Sequence, residues 1–152
     1  MQVKDLMSQP VITVQEDASL EQVARTILEN NVGGVPVVNA EGEITGIITE
    51  SDFAAKEKSV PFSTFSAPQL LGEWISTDEI ENIYQAARHR RAEEIMTRKV
   101  AVVLESDSVE KAAKMLLKHD VNRLPGVRDC IPVGIIARRD LLRLMVEDES
   151  DE

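Results

Sequence analysis

The heptapeptide Gly46-Ile47-Ile48-Thr49-Glu50-Ser51-Asp52 places a hydroxyl and a carboxylate three residues apart at the end of an apolar run. A strand leaving a core there would present Thr49 and turn into a helix with Asp52 near its start. A hydroxyl both donates and accepts, and with the N–H groups of a helix N-terminus it can bind phosphate oxygens. An ionised aspartate only accepts, which suits the two hydroxyls of a ribose, the part an acidic residue plays in dinucleotide-binding folds. The same residue types also cap helices, so taken alone the heptapeptide reads more readily as a structural turn.

A second version stands at Gly134-Ile135-Ile136-Ala137-Arg138-Arg139-Asp140. Ala137 occupies the place of Thr49, so the hydroxyl is gone while Asp140 remains. Losing one such hydrogen bond costs about 0.5–1.5 kcal/mol net, and more where the acceptor is charged. Arg138 and Arg139 flank the missing hydroxyl as compensating cations. Two unequal sites are expected, the Thr49/Asp52 site competent and the Asp140 site weaker or altered in preference. Other reactive side chains carry less. His89 has no acidic or cysteine partner at metal-ligand spacing, His119 reads as the end of a helix, and Cys130 reads as an inert turn or edge residue. No nucleophile–base pair, metal cluster or Gly-rich phosphate loop points to an enzyme.

The two heptapeptides belong to an internal duplication. Offset by 89, residues 5–38 fall on 94–127, with Met7 on Met96, Val14 on Val103, Ser19 on Ser108, Leu28 on Leu117 and Pro36 on Pro125. One residue is then lost, and at an offset of 88 Gly46 falls on Gly134 and Asp52 on Asp140. Each copy reads β-α-β-β-α. Val11 to Val14 and Val100 to Val103 are rich in β-branched residues and suit strands. Leu20, Val23, Ala24, Ile27 and Leu28 form the apolar stripe of a core-facing helix, matched by Val109, Ala112, Ala113, Leu116 and Leu117. Ser19 with Gln22 makes a capping box. Strands at Val35 to Val38 and Ile44 to Ile48 follow, joined by a turn at Asn39-Ala40-Glu41-Gly42. A second short helix begins near Ser51 or Asp52, and near Arg139 or Asp140. Units this small bury little apolar surface alone, so the copies are expected to pair through their sheets, leaving clefts between them.

The expected division is a first domain over 1–53, an insert over 54–91, a second domain over 92–146 and an acidic tail over 147–152. In the insert, Lys56 to Pro68 should be loop. Leu70, Leu71, Trp74 and Ile75 suit one or two helical turns. Ser76 to Glu79 opens a helix with Ile80, Ile83, Tyr84 and Ala87 on one face. Every aromatic of the chain (Phe53, Phe62, Phe65, Trp74, Tyr84) lies in or beside this insert. Those rings either strap the paired domains or stay exposed for a partner. Arg88-His89-Arg90-Arg91 reads as the solvated end of the insert helix.

The chain has 152 residues and a formal net charge of −10. Such an acidic surface repels phosphate backbones, which argues against nucleic acid as a partner. One cysteine allows no internal disulfide and suits a reducing compartment. Neither a signal-peptide stretch nor an apolar run of the roughly 18 residues needed to span a membrane occurs, so a cytoplasmic protein with no membrane association is expected.

Taken together the repeat resembles the cystathionine-β-synthase (CBS) domain pair, or Bateman module, here stand-alone with a long insert. The resemblance rests on Asp5-Leu6-Met7 and Glu94-Ile95-Met96, on Val32-Gly33-Gly34-Val35-Pro36-Val37-Val38 and Val121-Asn122-Arg123-Leu124-Pro125, and on the two Gly-Ile-Ile…Asp endings. It implies an α/β (α+β) fold of tandem CBS domains paired through their sheets, and a regulatory, non-enzymatic module. By resemblance the ligand is an adenine nucleotide or related adenosyl compound (AMP, ADP, ATP or S-adenosylmethionine), and no essential cofactor or metal is needed. The family pattern of glycine, hydroxyl and carboxylate falls on Gly46, Thr49 and Asp52, with Asp140 as the second carboxylate and Arg123 where members often carry a phosphate-binding cation. Each site would be completed by the segment entering the other copy. Thr97, Val100 and Ala101 then close on Thr49/Asp52, and residues 8–12 close on Asp140 and Arg123. Ile12, Val35, Ala101 and Leu124 surround the adenine, and Gly34 belongs to the ligand-binding set. Gly126 and Cys130 depart from the first copy and imply an altered sheet edge. The resemblance further implies a homodimer and a regulated protein partner. The competing reading is an interaction scaffold with vestigial clefts that binds its partner through the aromatic insert.

Overall fold

The computed structural model describes residues 1–54 and 77–146. In chain order the elements are α1 (Val3–Leu6), β1 (Val14–Gln15), α2 (Leu20–Asn30), β2 (Gly34–Val38), β3 (Ile44–Thr49), α3 (Thr77–Ala87), α4 (Ala92–Ile95), β4 (Val103–Leu104), α5 (Val109–Lys118), β5 (Arg123–Arg128) and β6 (Ile131–Ala137). A 3-10 helix follows β3 at Glu50–Phe53 and another follows β6 at Arg138–Met145. Two compact units result. One comprises Thr13–Asn39 and Thr45–Arg98, the other Met1–Ile12, Ala40–Ile44 and Lys99–Glu152. They are named here the first-repeat and second-repeat units.

The first-repeat unit holds a three-stranded sheet in the order β1-β2-β3. Helix α2 starts where Ser19 Oγ accepts from the Gln22 N–H at 3.1 Å and Gln22 Oε1 accepts from the Ser19 N–H at 2.9 Å, the reciprocal box the sequence encodes. It buries Leu20, Val23 and Ile27 and ends at Asn31, whose φ of 50° is the left-handed value that asparagine tolerates. Strand β2 is buried at every residue, and its Val37 and Val38 pair in parallel with Val14 and Gln15. Phe53, Ile83, Tyr84 and Ile95 pack around Leu20 and Ala87, and the Tyr84 hydroxyl donates to the Phe53 carbonyl. Two of the chain's aromatics therefore serve this unit's own core.

The second-repeat unit repeats the plan with the order β4-β5-β6. Its core unites Val3, Leu6 and Met7 of α1 and its end with Val103, Val109, Ala112, Leu116, Leu124 and Ile136. The departures at Gly126 and Cys130 have physical counterparts. The β5–β6 register slips between Gly126 and Val127, so that Gly126 pairs with Gly134 but Val127 with Pro132. The hairpin then turns on Asp129 and Cys130, at φ of 51° and 66°, where two consecutive positive values give a two-residue turn matched to strand twist.

The β-α-β-β order of each repeat is the expected one; the details differ in three ways. The first strands are only Val14–Gln15 and Val103–Leu104, because the parallel ladder reaches no further back than Val14↔Val37 and Val103↔Gly126. The last helices are 3-10 in geometry. Helices α1 and α4, which no periodicity announced, form at each repeat's entry and pack on the other repeat. Val3 N–H donates to Asp107 O at 2.8 Å, and its counterpart Ala92 N–H donates to Ala18 O at 2.8 Å. The expected loop at Lys56 to Pro68, the turns at Leu70 to Ile75, the capping box at Ser76 to Glu79, the rings of Phe62, Phe65 and Trp74, and the acidic tail lie outside the residues described. Among the described residues no helix is long and apolar enough to cross a membrane.

Candidate functional site

In the first-repeat unit, β3 delivers Thr49 to the mouth of the 3-10 turn. Asp52 Oδ2 accepts from the Thr49 N–H at 2.8 Å, and the Glu50 N–H donates to Gly33 O at 3.0 Å, so turn and sheet end are tied together. The Thr49 and Ser51 hydroxyl oxygens lie 2.7 Å apart in a hydrogen bond. Both Thr49 and Asp52 are half-buried. Gly34 lies directly against Thr49: a Cβ there would stand 3.0 Å from Thr49 Cγ2 and 2.9 Å from Ile48 O. Thr97 arrives beside β3 through a two-way backbone pairing with Ile47, each N–H···O at 3.0 Å. Gly46 is buried under Met96, whose side chain fills the place an added Cβ would take. Its missing side chain is therefore explained by packing.

The second-repeat unit reproduces this frame around Asp140. Asp140 Oδ2 accepts from the Ala137 N–H at 2.8 Å, the same closure without a hydroxyl. Ser8 pairs with Ile135 as Thr97 does with Ile47, and Gly134 leaves room for Met7. Arg123 stands opposite Ala137 on the β5–β6 ladder. Val100, Ala101 and Ile12, expected to border the two sites, are half-buried and belong to this unit. Val35 and Leu124 are completely buried in their respective units and present no side-chain surface.

The expectation that Arg138 compensates for the missing hydroxyl is corrected by its contacts. Its Nε donates to Val121 O at 2.9 Å and its Nη2 to Leu116 O at 3.4 Å, with Asp120 Oδ1 at 3.3 Å. That guanidinium ties the segment leaving α5, bonding Leu116 O in the last turn and Val121 O just beyond it. Arg143 is held by Leu6 O at 3.4 Å and Asp140 Oδ1 at 3.8 Å. Among the described residues, Arg123 and Arg139 make no ion pair.

Sequence reasoning missed one cavity. A cleft of about 530 Å³ in the first-repeat unit is bordered by Leu20, Ala24 and Leu28 of α2, by Phe53, and by Tyr84 and Arg88 at the end of α3. It exists because α3 returns onto α2, a long-range packing no local pattern encodes, and neither Thr49 nor Asp52 lines it. His119 ends α5 as expected, and Cys130 is exposed. Among the described residues no group of three His, Cys, Asp or Glu is placed to hold a metal ion.

The CBS domain model matches residues 3–58 and 92–147, which is more than half of the chain. The solved CBS domain of a CBS-domain-containing membrane protein from Sphaerobacter thermophilus is 40% identical, with a TM-score of 0.73 over 95% of this chain and 87% of that one. The CBS domain pair of protein MJ0100, solved with 5'-methylthioadenosine and S-adenosyl-L-methionine, is 27% identical with a TM-score of 0.69 over 95% of each chain. An uncharacterized protein of Methanocaldococcus jannaschii, MJ1426, is 31% identical over 96% of this chain and 92% of its own length. Three further curated relatives are longer, and the chain spans less than half of their length. With two family matches, two like sheets and two like turns, the chain belongs to the CBS-domain family and carries a pair of CBS domains.

Proposed function

We propose that the chain is a regulatory module that binds an adenosyl ligand at the Thr49/Asp52 end of the first-repeat unit and passes the bound state to a partner protein. The observation that carries this is the comparison of the two turns. Each closes through an Asp-to-backbone hydrogen bond of 2.8 Å, whether a threonine or an alanine stands at the cap. The carboxylate thus has a structural duty in both repeats, whereas the Thr49 hydroxyl bonds Ser51 Oγ and is not what closes the turn, since Ala137 closes it without one. A half-buried hydroxyl that the turn does not need, beside a carboxylate already fixed by its cap, is a pair preorganised for a sugar or phosphate. The solved relative MJ0100 binds two adenosyl compounds, which supports the ligand class. AMP, ADP, ATP and S-adenosylmethionine are the candidates. Leu28 (79% exposed) and Leu117 (74% exposed) hold the same position in α2 and α5, and a second copy covering them fits a homodimer. The lone exposed thiol of Cys130 fits a reducing, cytosolic setting.

Calorimetry of the full chain with these four ligands and 5'-methylthioadenosine tests the reading. Thr49→Ala should weaken the tightest ligand by about ten-fold, the loss of one charge-assisted hydrogen bond. Asp52→Ala should weaken it at least as much. Affinity unchanged in both Thr49→Ala and Asp52→Ala would end the proposal.

A further inference from the structure

The turn that carries Thr49 and Asp52 is fastened at both of its ends. At its start the Glu50 N–H donates to Gly33 O at 3.0 Å, which ties it to the sheet. At its end Phe53 is held by the insert helix: the Phe53 carbonyl accepts from the Tyr84 hydroxyl, and both rings pack around Leu20 and Ala87. Helix α3 in turn rests its C-terminal end on the start of α2. There Leu20 N–H donates to Arg90 O at 2.8 Å and Glu21 N–H to Arg88 O at 3.1 Å. Of the described α3 side chains only Ala87 is buried, with Ile83 and Tyr84 half-buried and Ile80 exposed. An 11-residue helix is too short to sustain itself in water, so α3 depends on these contacts and has a frayed state close by. Ser51, Asp52 and Phe53 therefore link the Thr49 end to a marginal helix. The second repeat's turn, equally closed by Asp140, runs on as a 3-10 helix to Met145 instead.

We infer that α3 reports the occupancy of the Thr49/Asp52 end, with Tyr84 as the positioning residue that couples the two. The coupling rests on the adenosyl reading of that end. A ligand held by the Thr49 hydroxyl and the Asp52 carboxylate fixes the turn on both sides of Ser51, whose hydroxyl bonds that of Thr49 at 2.7 Å. The Phe53 carbonyl is then kept where Tyr84 meets it, and ordering α3 costs less. Binding free energies are reciprocal, so a docked α3 tightens the ligand by the factor by which the ligand stabilises α3.

Hydrogen exchange of the full chain is followed without ligand and with the tightest of AMP, ADP, ATP, S-adenosylmethionine and 5'-methylthioadenosine. The ligand should slow the amides of residues 81–88 by about three- to ten-fold, the worth of one hydrogen bond. Tyr84→Phe keeps the ring and removes the donor. It should abolish that added protection and weaken the ligand by the same factor, a loss of affinity that a purely structural Tyr84 would not produce. Ligand binding that leaves residues 81–88 unchanged, or equal affinity in Tyr84→Phe and the unmodified chain, overturns the coupling while the adenosyl reading stands. No binding of any of the five compounds overturns both.

Discussion

The two units are built on one frame and differ in what is attached to it. Each has a two-residue parallel strand, a capped helix, a buried central strand and a third strand ending in an Asp-closed turn. In the first-repeat unit the turn ends at Phe53, and α3 comes back to cover it with Tyr84. In the second the 3-10 helix runs on to Met145 and leaves Leu142, Leu144 and Met145 exposed. The backbone hydrogen bonds are conserved between the halves to within a few tenths of an ångström, while the side chains at the strand ends are not. Frame and chemistry are therefore set by different residues, and each can be disturbed separately.

The most severe disturbance is aimed at the frame. Val3 and Ala92 are completely buried equivalents, each lying in the sequence of one repeat and packing on the other. An unpaired carboxylate at such a place costs roughly 3 kcal/mol or more. Val3→Asp should therefore raise amide hydrogen exchange in the second-repeat unit, across residues 103–137, before the first. Ala92→Asp should do the opposite, across residues 14–49. Exchange that rises first in the repeat carrying the substitution would break the cross-packed frame.

That crossing also marks how far the sequence could be read. The helix α2 box, the buried stripe Leu20–Val23–Ile27, the glycine-bearing turn at Asn39 to Gly42 and the repeat itself were all legible, because each depends on neighbours within a few residues. The Asp52 and Asp140 caps were legible as an alternative to binding, and they are real. Three things were not legible. The reach of β1 is set by where β2 lies alongside it, and α1 is too short to show a period. Arg138 looks like a cation beside a missing hydroxyl, yet its guanidinium is drawn to the carbonyls of Leu116 in the last turn of α5 and of Val121 beyond it. The reason for Gly34 lies in a contact with Thr49, fifteen residues away in sequence and adjacent only once β2 and β3 are formed.

A milder change sharpens the difference at the strand ends. Gly34→Ala places a Cβ against the backbone oxygen of Ile48, which cannot swing aside as a side-chain tip can. Overpacking of this kind costs about 1–3 kcal/mol. Gly34→Ala should lower stability in urea by that amount, and combining it with Thr49→Ala should recover part of the loss because Cγ2, one of the three close atoms, is gone. Arg123→Ala, at the equivalent position, should cost less than about 0.5 kcal/mol, since a Cβ is already accommodated there. Equal losses at 34 and 123 would mean that the two ladders crowd these positions alike.

The smallest expected effect depends on pH. Asp107 closes the turn between β4 and α5, where Leu104 N–H donates to Oδ2 at 2.9 Å and Lys111 Nζ donates to Oδ1 at 3.1 Å. Burial pushes the Asp107 carboxyl up, but the hydrogen bonds from Leu104 and Lys111 and the Lys111 charge outweigh it and hold its pKa below the usual aspartate value. A group with a depressed folded pKa adds stability above its unfolded value, about 3.9, and loses it as the pH falls through the lower folded value. The equivalent residue in the first repeat is Ala18, which has no carboxylate to titrate. Asp107→Ala should therefore cost about 1 kcal/mol at pH 6, in line with one backbone-to-carboxylate hydrogen bond, and progressively less as the pH is lowered below about 4. Exchange of the Leu104 amide should quicken over the same acid range, beyond its intrinsic pH dependence, while that of Gln15, its first-repeat counterpart, should not. If both amides respond alike, the pH dependence belongs to the shared frame and not to the residue that distinguishes the second repeat.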